Sequence, residues 1–377
     1  MRLADDNKKN KRSSKATRFI IAHLLNDFSG SPRVLADFCN TERIQSRRVS
    51  IITSASDGFL DDKLGEKISI WYPRGRLRSL NYLSFAFAQL QLFVATAALI
   101  LRGLVKRERI VVVNNTILSL GSMLASKCFA VTNISYVHEL NSGPAIVRRL
   151  AQRLIQWTAN HVIFVSKFVS DDYNLSQKFT TILPNGLRTD FEQAINLDYS
   201  LKFSQKQILF VGSLKHYKGI RELVKIAREM PETPFLGIFN TTEQMLEEFG
   251  QAEKIPSNLT LLTHQDDMQT LYKESFLVMN LTLPNVWFEA FALTILEGMA
   301  CGCPCVAPPI GGHLTYFDAN SGLIADARNT SEIVSFIQQL QDDEKLWRRY
   351  SDHAVEVAKH YSAEQYAKQV NEILEGY

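Results

Sequence analysis

The sequence lacks the signatures of secreted and disulfide-built proteins. Its five cysteines are odd in number and are not spaced as a disulfide framework, which favours a reduced, cytoplasmic compartment. Residues 1–17 are polar and basic without an apolar core segment, so they predict a disordered tail and no secretory signal. With 377 residues, 46% of them apolar and 21% charged, the chain has the composition of a soluble protein with two domains.

Motifs for metals, phosphate loops and nucleic acids are also scarce. The run CGCPC could suggest a metal or iron–sulfur site, but no other Cys or His cluster lies near it, so packing of small residues is the favoured interpretation. The order Lys218-Gly219 is not the Gly-Lys-Ser/Thr of a P-loop. Basic residues are not interleaved with aromatics in a recognisable module, and we therefore predict no nucleic-acid partner.

Charge is divided unevenly along the chain. Residues 1–198 contain 27 Lys and Arg against 16 Asp and Glu, whereas residues 199–377 contain 15 against 23. A basic half joined to an acidic half indicates that the first half meets an anionic surface or ligand. The basic tail itself either touches anionic lipid or is simply solvated.

Apolar strand patterns alternate with helical patterns and restart near residue 200. Short apolar strands separated by helices are typical of parallel sheets covered on both faces. The strand-like runs before the restart are FIIAHLL, VSIITS, IVVVNN, NISYVHE and HVIFVS, and those after it are QILFVGS, FLGIFN, LTLLTH, SFLVMNL and CVAPP. We therefore predict an α/β protein with domains at 18–198 and 199–360.

One segment, Ser79–Leu101, has 23 residues without a charge and is flanked by arginines and lysines. Its length alone would allow it to span a membrane. Asn81, Gln89 and Gln91 interrupt it, however, and a span would place strands of one sheet on opposite sides of the membrane. A core or interface helix is favoured, and a helix lying on the membrane surface is the alternative.

Two strand ends in the first half carry candidate binding residues. Gly30, in NDFSGSPRV, permits close backbone approach before a helix whose start favours an anion, although a plain turn explains it equally well. His138 closes the strand YVHEL and would project at the sheet edge, where ligands of parallel sheets bind. A structural hydrogen-bonding role is its alternative.

Two further junctions lie in the second half. In FVGSLKHYKGIREL, Lys218 precedes a helix that begins near Gly219, an arrangement that can hold a diphosphate. In EAFALTILE, Glu289 and Glu297 are eight positions apart, which on one helix would return them to nearly the same face. Glu289 is expected at the loop–helix entrance and Glu297 two turns in, where its carboxylate could accept hydrogen bonds from a ribose diol.

These motifs together resemble glycosyltransferase family 4, the retaining GT-B transferases that use an activated sugar donor. The matching segments are EAFALTILEGMACGCPCVA, GSLKHYKG, LPNGLRTDF, DDMQTLYKESFLVMNLTLP and the closing YSAEQYAKQVNEILEGY. The resemblance implies two Rossmann-like domains facing each other across a cleft, with the last helix, within 361–377, packing back on the first domain.

The resemblance also implies roles for particular residues. Glu289 would act near the donor sugar together with His138, as the predicted catalytic pair, and Glu297 would bind the nucleotide ribose. The other predicted donor-binding residues are Gly212, Ser213, Lys218, Phe291, Ala292 and Leu293, the last three through their backbone amides. Gly30 and Ser31 would lie on the acceptor side.

Three departures from the family pattern stand out. Ser213 takes the place of an arginine that often follows the turn glycine, so that one diphosphate cation is either missing or supplied by Lys215. Ala292 takes the place of a glycine, and its methyl group narrows the approach to the phosphate amides. The first-strand loop reads Ser29-Gly30-Ser31 instead of carrying two glycines.

The sequence therefore predicts a retaining glycosyltransferase that moves a hexose from a nucleotide-sugar to an acceptor hydroxyl. We expect no cofactor and no metal, since no Asp-x-Asp is placed to bind one. The basic first half predicts a saccharide or lipid-linked acceptor, as in surface polysaccharide or glycolipid assembly, and a peripheral position on the cytoplasmic face of an anionic membrane. The alternatives are a nucleotide-sugar epimerase and a catalytically silent sugar-nucleotide-binding scaffold.

Overall fold

A computed structural model describes residues 16–73, 78–140, 145–175, 179–192 and 197–377. The chain divides into two compact units. The first comprises the chain up to Phe164 together with Ser170–Leu183 and Ala367–Tyr377, and the second comprises Val165–Val169 and Pro184–Tyr366.

The first unit is built on a seven-stranded parallel sheet. Its interior strands are short β-branched runs such as IVVV, which suit a sheet buried on both faces. In chain order the strands are β1 (Thr17–Ala22), β2 (Arg48–Ser54), β3 (Glu66–Ile70), β4 (Arg109–Asn115), β5 (Thr132–Val137), β6 (His161–Phe164) and β7 (Thr180–Ile182). They lie in the order β3-β2-β1-β4-β5-β6-β7, which reverses direction between β1 and β4.

Helices connect these strands and cover the sheet. They are α1 (Gly30–Cys39), α2 (Glu42–Gln45), α3 (Arg78–Val105), α4 (Leu120–Cys128), α5 (Ala145–Thr158) and α6 (Lys167–Tyr173). The inner face of α3 packs on an apolar core that includes Ile20, Ile52 and Val112 of the sheet. Helix α3 therefore acts as a core helix along one of its faces.

The second unit repeats the plan with a six-stranded parallel sheet. Its strands are β8 (Ile208–Gly212), β9 (Phe235–Phe239), β10 (Leu259–Thr263), β11 (Leu277–Met279), β12 (Cys305–Ala307) and β13 (Gly322–Ile324), in the order β10-β9-β8-β11-β12-β13. Its helices are α7 (Thr189–Glu192), α8 (Tyr199–Gln205), α9 (Ile220–Glu229), α10 (Glu243–Glu253), α11 (Met268–Glu274), α12 (Leu293–Ala300), α13 (Thr330–Asp342) and α14 (Glu344–Lys359). The last helix, α15 (Ala363–Leu374), begins in this unit and ends in the first.

The two-sheet α/β prediction is confirmed, with differences in detail. The division between units falls at 183/184 instead of at 198, and residues 165–169 belong to the second unit. Residues 1–15 of the predicted tail lie outside the described residues, and Thr17 already begins β1. The prediction that Glu289 and Glu297 share one helix is wrong, because α12 begins only at Leu293.

Candidate active site

The candidate site of the second unit lies at the carboxyl ends of β8 and β11. The strand order reverses between these two neighbours, and ligands of open parallel sheets bind at such a switch point. The chain after β8 brings Lys218 to this point, and the chain after β11 brings Asn280, Thr282 and Glu289. The fold thus assembles one cluster from two segments about sixty residues apart.

Lys218 occupies the position that the sequence predicts, in a short 3-10 turn directly before α9. Gly219, between the turn and the helix, has φ +77°, and a Cβ there would lie 2.1 Å from the carbonyl oxygen of Leu281. Only glycine meets both requirements. The glycine therefore lets the lysine turn press against the loop that follows β11.

Glu289 is the centre of this cluster. Its Oε1 accepts hydrogen bonds from Lys218 Nζ at 2.5 Å, from Thr282 Oγ1 at 2.6 Å and from Asn280 Nδ2 at 3.4 Å. Burial disfavours the charged form, but the Lys218 ammonium and these hydrogen bonds outweigh it and hold the pKa of Glu289 below its usual value. Glu289 is consequently an ionised, rigidly held carboxylate.

The second glutamate is held separately. Glu297 is the fifth residue of α12, about one turn in instead of the predicted two, and its Oε2 accepts a hydrogen bond of 3.0 Å from the Tyr272 hydroxyl. Tyr272 is fully buried on α11, so this hydrogen bond holds the Glu297 carboxylate from the protein interior. The two glutamates are therefore positioned by different elements.

The loop between them is shaped by its neighbours. Gly312 N donates to Glu289 O at 2.7 Å, and a Cβ on Gly312 would lie 1.7 Å from Ala290 O, so glycine is required there. The Tyr316 hydroxyl lies 2.8 and 2.7 Å from the carbonyl oxygens of Phe291 and Ala292. These hydrogen bonds hold the chain from Glu289 to Ala292 in a sharp turn that leads into α12.

Ala292 is strained at this turn. It has φ +64° and ψ +65°, the left-handed region that costs an L-residue about 1–2 kcal/mol. The conformation accounts for the glycine of the family pattern at this position. Phe291 is buried beside it, and Leu293 begins α12, so the three predicted amide donors flank the start of the helix.

Sequence reasoning missed an aromatic pair beside the lysine turn. Tyr217 and Trp287 stack with ring centroids 5.0 Å apart, and Trp287 is nearly half exposed. The ammonium groups of Lys215 and Lys218 lie 5.7 and 5.8 Å from the Tyr217 ring centroid. Lys215, which would replace the missing arginine at Ser213, thus contacts the same tyrosine ring as Lys218.

In the first unit, the switch point between β1 and β4 carries a neutral network. His138, after β5, has its Nε2 2.7 Å from Asn115 Oδ1, and Asn115 Nδ2 lies 3.0 Å from His23 Nδ1. Burial lowers the pKa of His23 to about 4; burial, with a smaller contribution from His23, lowers that of His138 to about 3. Both imidazoles are therefore uncharged near neutral pH.

The predicted acceptor-side residues adjoin this network. Asn115 Nδ2 also donates to Ser31 O at 3.3 Å, and Gly30 begins α1. A Cβ on Gly30 would meet nothing within 4 Å, so the fold itself does not require glycine there. His23 and Asn115 were missed, although each is a polar residue at the end of an apolar strand.

The cysteines of the CGCPC run are buried and contact the residues that hold Glu297: Cys303 Sγ lies 3.2 Å from Tyr272 O, and Cys301 N donates to Glu297 O at 3.2 Å. Cys301, Cys303 and Cys305 are buried, and burial raises the pKa of each thiol. The buried Lys202 Nζ lies 3.3 Å from Cys303 Sγ and donates to Cys301 O at 2.7 Å. Within the part of the chain that the structure describes, no group of three or more His, Cys, Asp or Glu is placed to hold a metal ion.

The match to a known protein family lies within the second unit. Residues 198–357 match the family described as glycosyl transferases group 1. The poly(glycerol-phosphate) alpha-glucosyltransferase of Bacillus subtilis (strain 168) is 23% identical over 226 residues, which is 57% of this chain but only 33% of that longer protein. An uncharacterized glycosyltransferase of Haemophilus influenzae is 25% identical over 365 residues and covers 92% of this chain and 96% of its own.

The fold comparison extends over nearly the whole chain. The crystal structure of Anabaena Alr3699/HepE in complex with UDP and glucose matches with a TM-score of 0.75 and 16% identity, covering 95% of this chain and 99% of that one. Both units are therefore Rossmann-like parallel-sheet α/β folds with structural matches to GT-B glycosyltransferases, and residues 198–357 resemble a glycosyl transferases group 1 domain in sequence.

Proposed function

We propose that the protein is a retaining glycosyltransferase that moves a hexose from a nucleotide-sugar to an acceptor hydroxyl. The observation that carries the proposal is the cluster of Lys218, Glu289, Asn280 and Thr282 at the switch point of the second sheet, next to the start of α12. This cluster lies inside the segment that matches the glycosyl transferases group 1 family. The sugar nucleotide is a substrate, and the proposed reaction uses no cofactor or metal.

The donor would be bound by charge at one end and by hydroxyl recognition at the other. Lys218 has three N–H donors, so it can keep Glu289 and still bind the diphosphate, aided by the partial positive charge at the start of α12. Glu297 offers a carboxylate fixed by Tyr272 to the ribose hydroxyls. A nearby Lys215 would supply the second cation for the diphosphate.

Transfer would proceed on one face of the sugar. The bond from the anomeric carbon to the leaving phosphate oxygen breaks, a bond to the acceptor oxygen forms, and the acceptor proton passes to the leaving phosphate. Ionised Glu289 favours the positive charge that develops on the sugar, while Lys218 stabilises the negative charge on the diphosphate. The negative Glu289 thus complements the sugar, and the positive Lys218 complements the departing diphosphate.

The acceptor would bind at the first unit. Its switch point offers neutral hydrogen-bonding groups, His138, Asn115 and His23, which suit a sugar hydroxyl better than an ion. We propose that the acceptor is a saccharide or glycolipid of the cell surface, whose sugar hydroxyls these neutral groups can hydrogen-bond.

A donor screen tests the proposal. UDP-, GDP- and ADP-sugars are added to the protein, and thermal unfolding is recorded, since a ligand that binds the native state raises its stability. UDP-sugars come first because the Anabaena structure contains UDP and glucose. We expect one nucleotide to stabilise the wild type but not the Glu297→Ala variant, and the matching donor to yield a product with retained anomeric configuration.

Each of the other outcomes would support a different function. Isomerised donor in the absence of acceptor would identify an epimerase. Tight donor binding without turnover on any acceptor would favour the silent scaffold, an alternative kept because Ser213 and the strained Ala292 depart from the family pattern. Absence of stabilisation by every sugar nucleotide would contradict donor binding altogether.

A further inference from the structure

We propose that helices α3 and α5 of the first unit form a surface that lies on an anionic lipid bilayer. The inference does not depend on the transfer chemistry, because it rests on exposure and charge in the first unit alone. We call this region the α3–α5 surface. It comprises the outward-facing residues of α3 and α5 together with Trp71, which contacts α3.

Helix α3 is apolar on both of its faces. Its inner face is buried on the sheet, through residues that include Ala88, Leu92 and Leu99. Its outer face repeats apolar residues at spacings of three, four and seven, which places them on one stripe. These residues are Leu83, Phe87, Leu90, Val94, Leu101 and Val105, each at least half exposed.

The length of this stripe is unusual for a surface that faces only water. From Leu83 to Val105 the stripe extends about 33 Å along the helix. Monomeric soluble proteins seldom expose a contiguous apolar stripe of this kind, and such patches usually mark an interface with another protein or a membrane. The outer face of α3 therefore needs a partner.

Helix α3 does not cross the bilayer. Leu80–Val105 is long and apolar enough to cross a bilayer, but its inner face packs on the sheet. The strands at its two ends, β3 and β4, also belong to that same sheet. The helix can only lie along the bilayer surface, as interfacial helices do.

The charge pattern favours anionic lipid. Helices α3, α4 and α5 follow one another on the sheet, with α3 against α4 and α4 against α5. Together they contain six Lys and Arg and not one Asp or Glu. Arg149, Arg153, Leu150 and Trp157 are exposed on α5, which adds basic and aromatic side chains of the kind found at lipid headgroups.

The same charge pattern argues against a second copy of this chain. A symmetric dimer through this face would bring identical patches together, and like charges across an interface are costly. The nearby Glu66 is already paired with Arg102 at 2.9 Å. An anionic bilayer matches both the apolar stripe and its basic flank.

Vesicle flotation without sugar nucleotide or acceptor tests the proposal. Phosphatidylcholine vesicles with and without phosphatidylglycerol are compared at low and high salt. We expect binding to the phosphatidylglycerol vesicles and at least a tenfold loss in the variant L83S/L90S/V94S. The variant R149Q/R153Q should lose several-fold in affinity and most of its salt dependence.

Two controls make the result specific. The variant L201S/M245S replaces exposed apolar residues of the second unit and should bind vesicles like the wild type. Thermal unfolding of each variant should match the wild type, because every replaced residue is exposed. Since donor binding is measured separately, failure of vesicle binding would leave the proposed function intact.

Three results would overturn the inference. They are absence of binding to phosphatidylglycerol vesicles, equal binding to phosphatidylcholine alone, and wild-type binding by L83S/L90S/V94S. Sedimentation in buffer adds a fourth: a dimer that the same triple variant dissociates, with no vesicle binding, would identify a second copy as the occupant of the α3–α5 surface.

Discussion

The switch points of the two sheets occupy the same topological position but differ in chemistry. Between β8 and β11 a lysine and a glutamate form an ion pair with their charges fixed by hydrogen bonds. Between β1 and β4 two imidazoles are kept neutral by burial and joined through Asn115. The difference teaches that one fold, used twice, can hold an ion pair at one switch point and a neutral hydrogen-bonded network at the other.

The largest predicted effect comes from removing the cation of the second site. Lys218→Ala would leave Glu289 as a buried charge without its main partner and would remove the contact proposed for the donor diphosphate. We expect kcat/KM to fall at least about 100-fold, or about 2.7 kcal/mol, the cost of losing one transition-state donor. Steady-state kinetics with the donor found in the screen measure it.

Lys215→Ala is the matched control. It lies over the same tyrosine ring but is exposed, so its loss should cost tenfold or less. If the two variants lost activity equally, the ion pair with Glu289 would have no special role and the contrast between the two sites would be weakened.

The second effect concerns acid sensitivity of the first site. His23 has a folded-state pKa of about 4 against 6.5, so the unfolded chain binds its proton first as the pH falls. The free energy of unfolding that depends on neutral His23 should be fully present above pH 6.5. About 3 kcal/mol of it should be lost as the pH falls from 6.5 to 4. Urea unfolding of wild type and His23→Asn across this range measures the difference between them.

That difference is the relevant quantity because Glu139 acts in the opposite direction. Burial raises its pKa to about 7, which lowers stability as the pH rises from 4.5 to 7 in both proteins. The exposed His360→Asn, measured in the same way, serves as the control. Parallel curves for wild type and His23→Asn would show that the network is not held neutral.

The smallest effect concerns the strained turn before α12. Ala292→Gly should raise the unfolding free energy by up to about 1 kcal/mol, because glycine adopts φ +64° without the cost that alanine incurs. It should also strengthen donor binding by widening the approach to the helix start. Thermal unfolding and donor titration measure the two effects.

The same exchange within the helix should have the opposite sign. Ala300→Gly, at the end of α12, should lower the unfolding free energy by about 0.5–1 kcal/mol. If Ala292→Gly were destabilising to the same extent, the left-handed conformation at residue 292 would be contradicted.

The sequence predicted the interior strands of both sheets but missed strands at three sheet edges. Strands β3, β7 and β13 are edge strands, short or only partly buried, so their hydrophobic pattern is weak. Interior strands such as β4 are continuous apolar runs and were recognisable at once. The fourth edge strand, β10, was recognised from its run LTLLTH, so an edge strand is missed only when its apolar pattern is weak.

The candidate sites were legible to different degrees. Lys218 and the two glutamates could be recognised because they belong to a contiguous pattern. The prediction of one helix from Glu289 to Glu297 was wrong because Ala292 is left-handed. Alanine itself favours a helix, and the only sign of the break was the glycine that the family pattern has at this position. His23 and Asn115 stand at the ends of apolar strands, but their pairing could not be predicted because it joins segments 92 residues apart. Thr282 lies only seven residues from Glu289 and was missed because a threonine in a loop gives no signal of its own.

The proposed function gives the two glutamates of the second unit different roles, Glu297 in donor binding and Glu289 in transfer of the sugar. Donor titration and single-turnover kinetics of Glu289→Gln and Glu297→Gln test it most directly. The account predicts that Glu297→Gln weakens donor binding at least tenfold with little change in the transfer rate, and that Glu289→Gln lowers the transfer rate about 100-fold with little change in binding. Equal, small effects of the two substitutions on both quantities would contradict it.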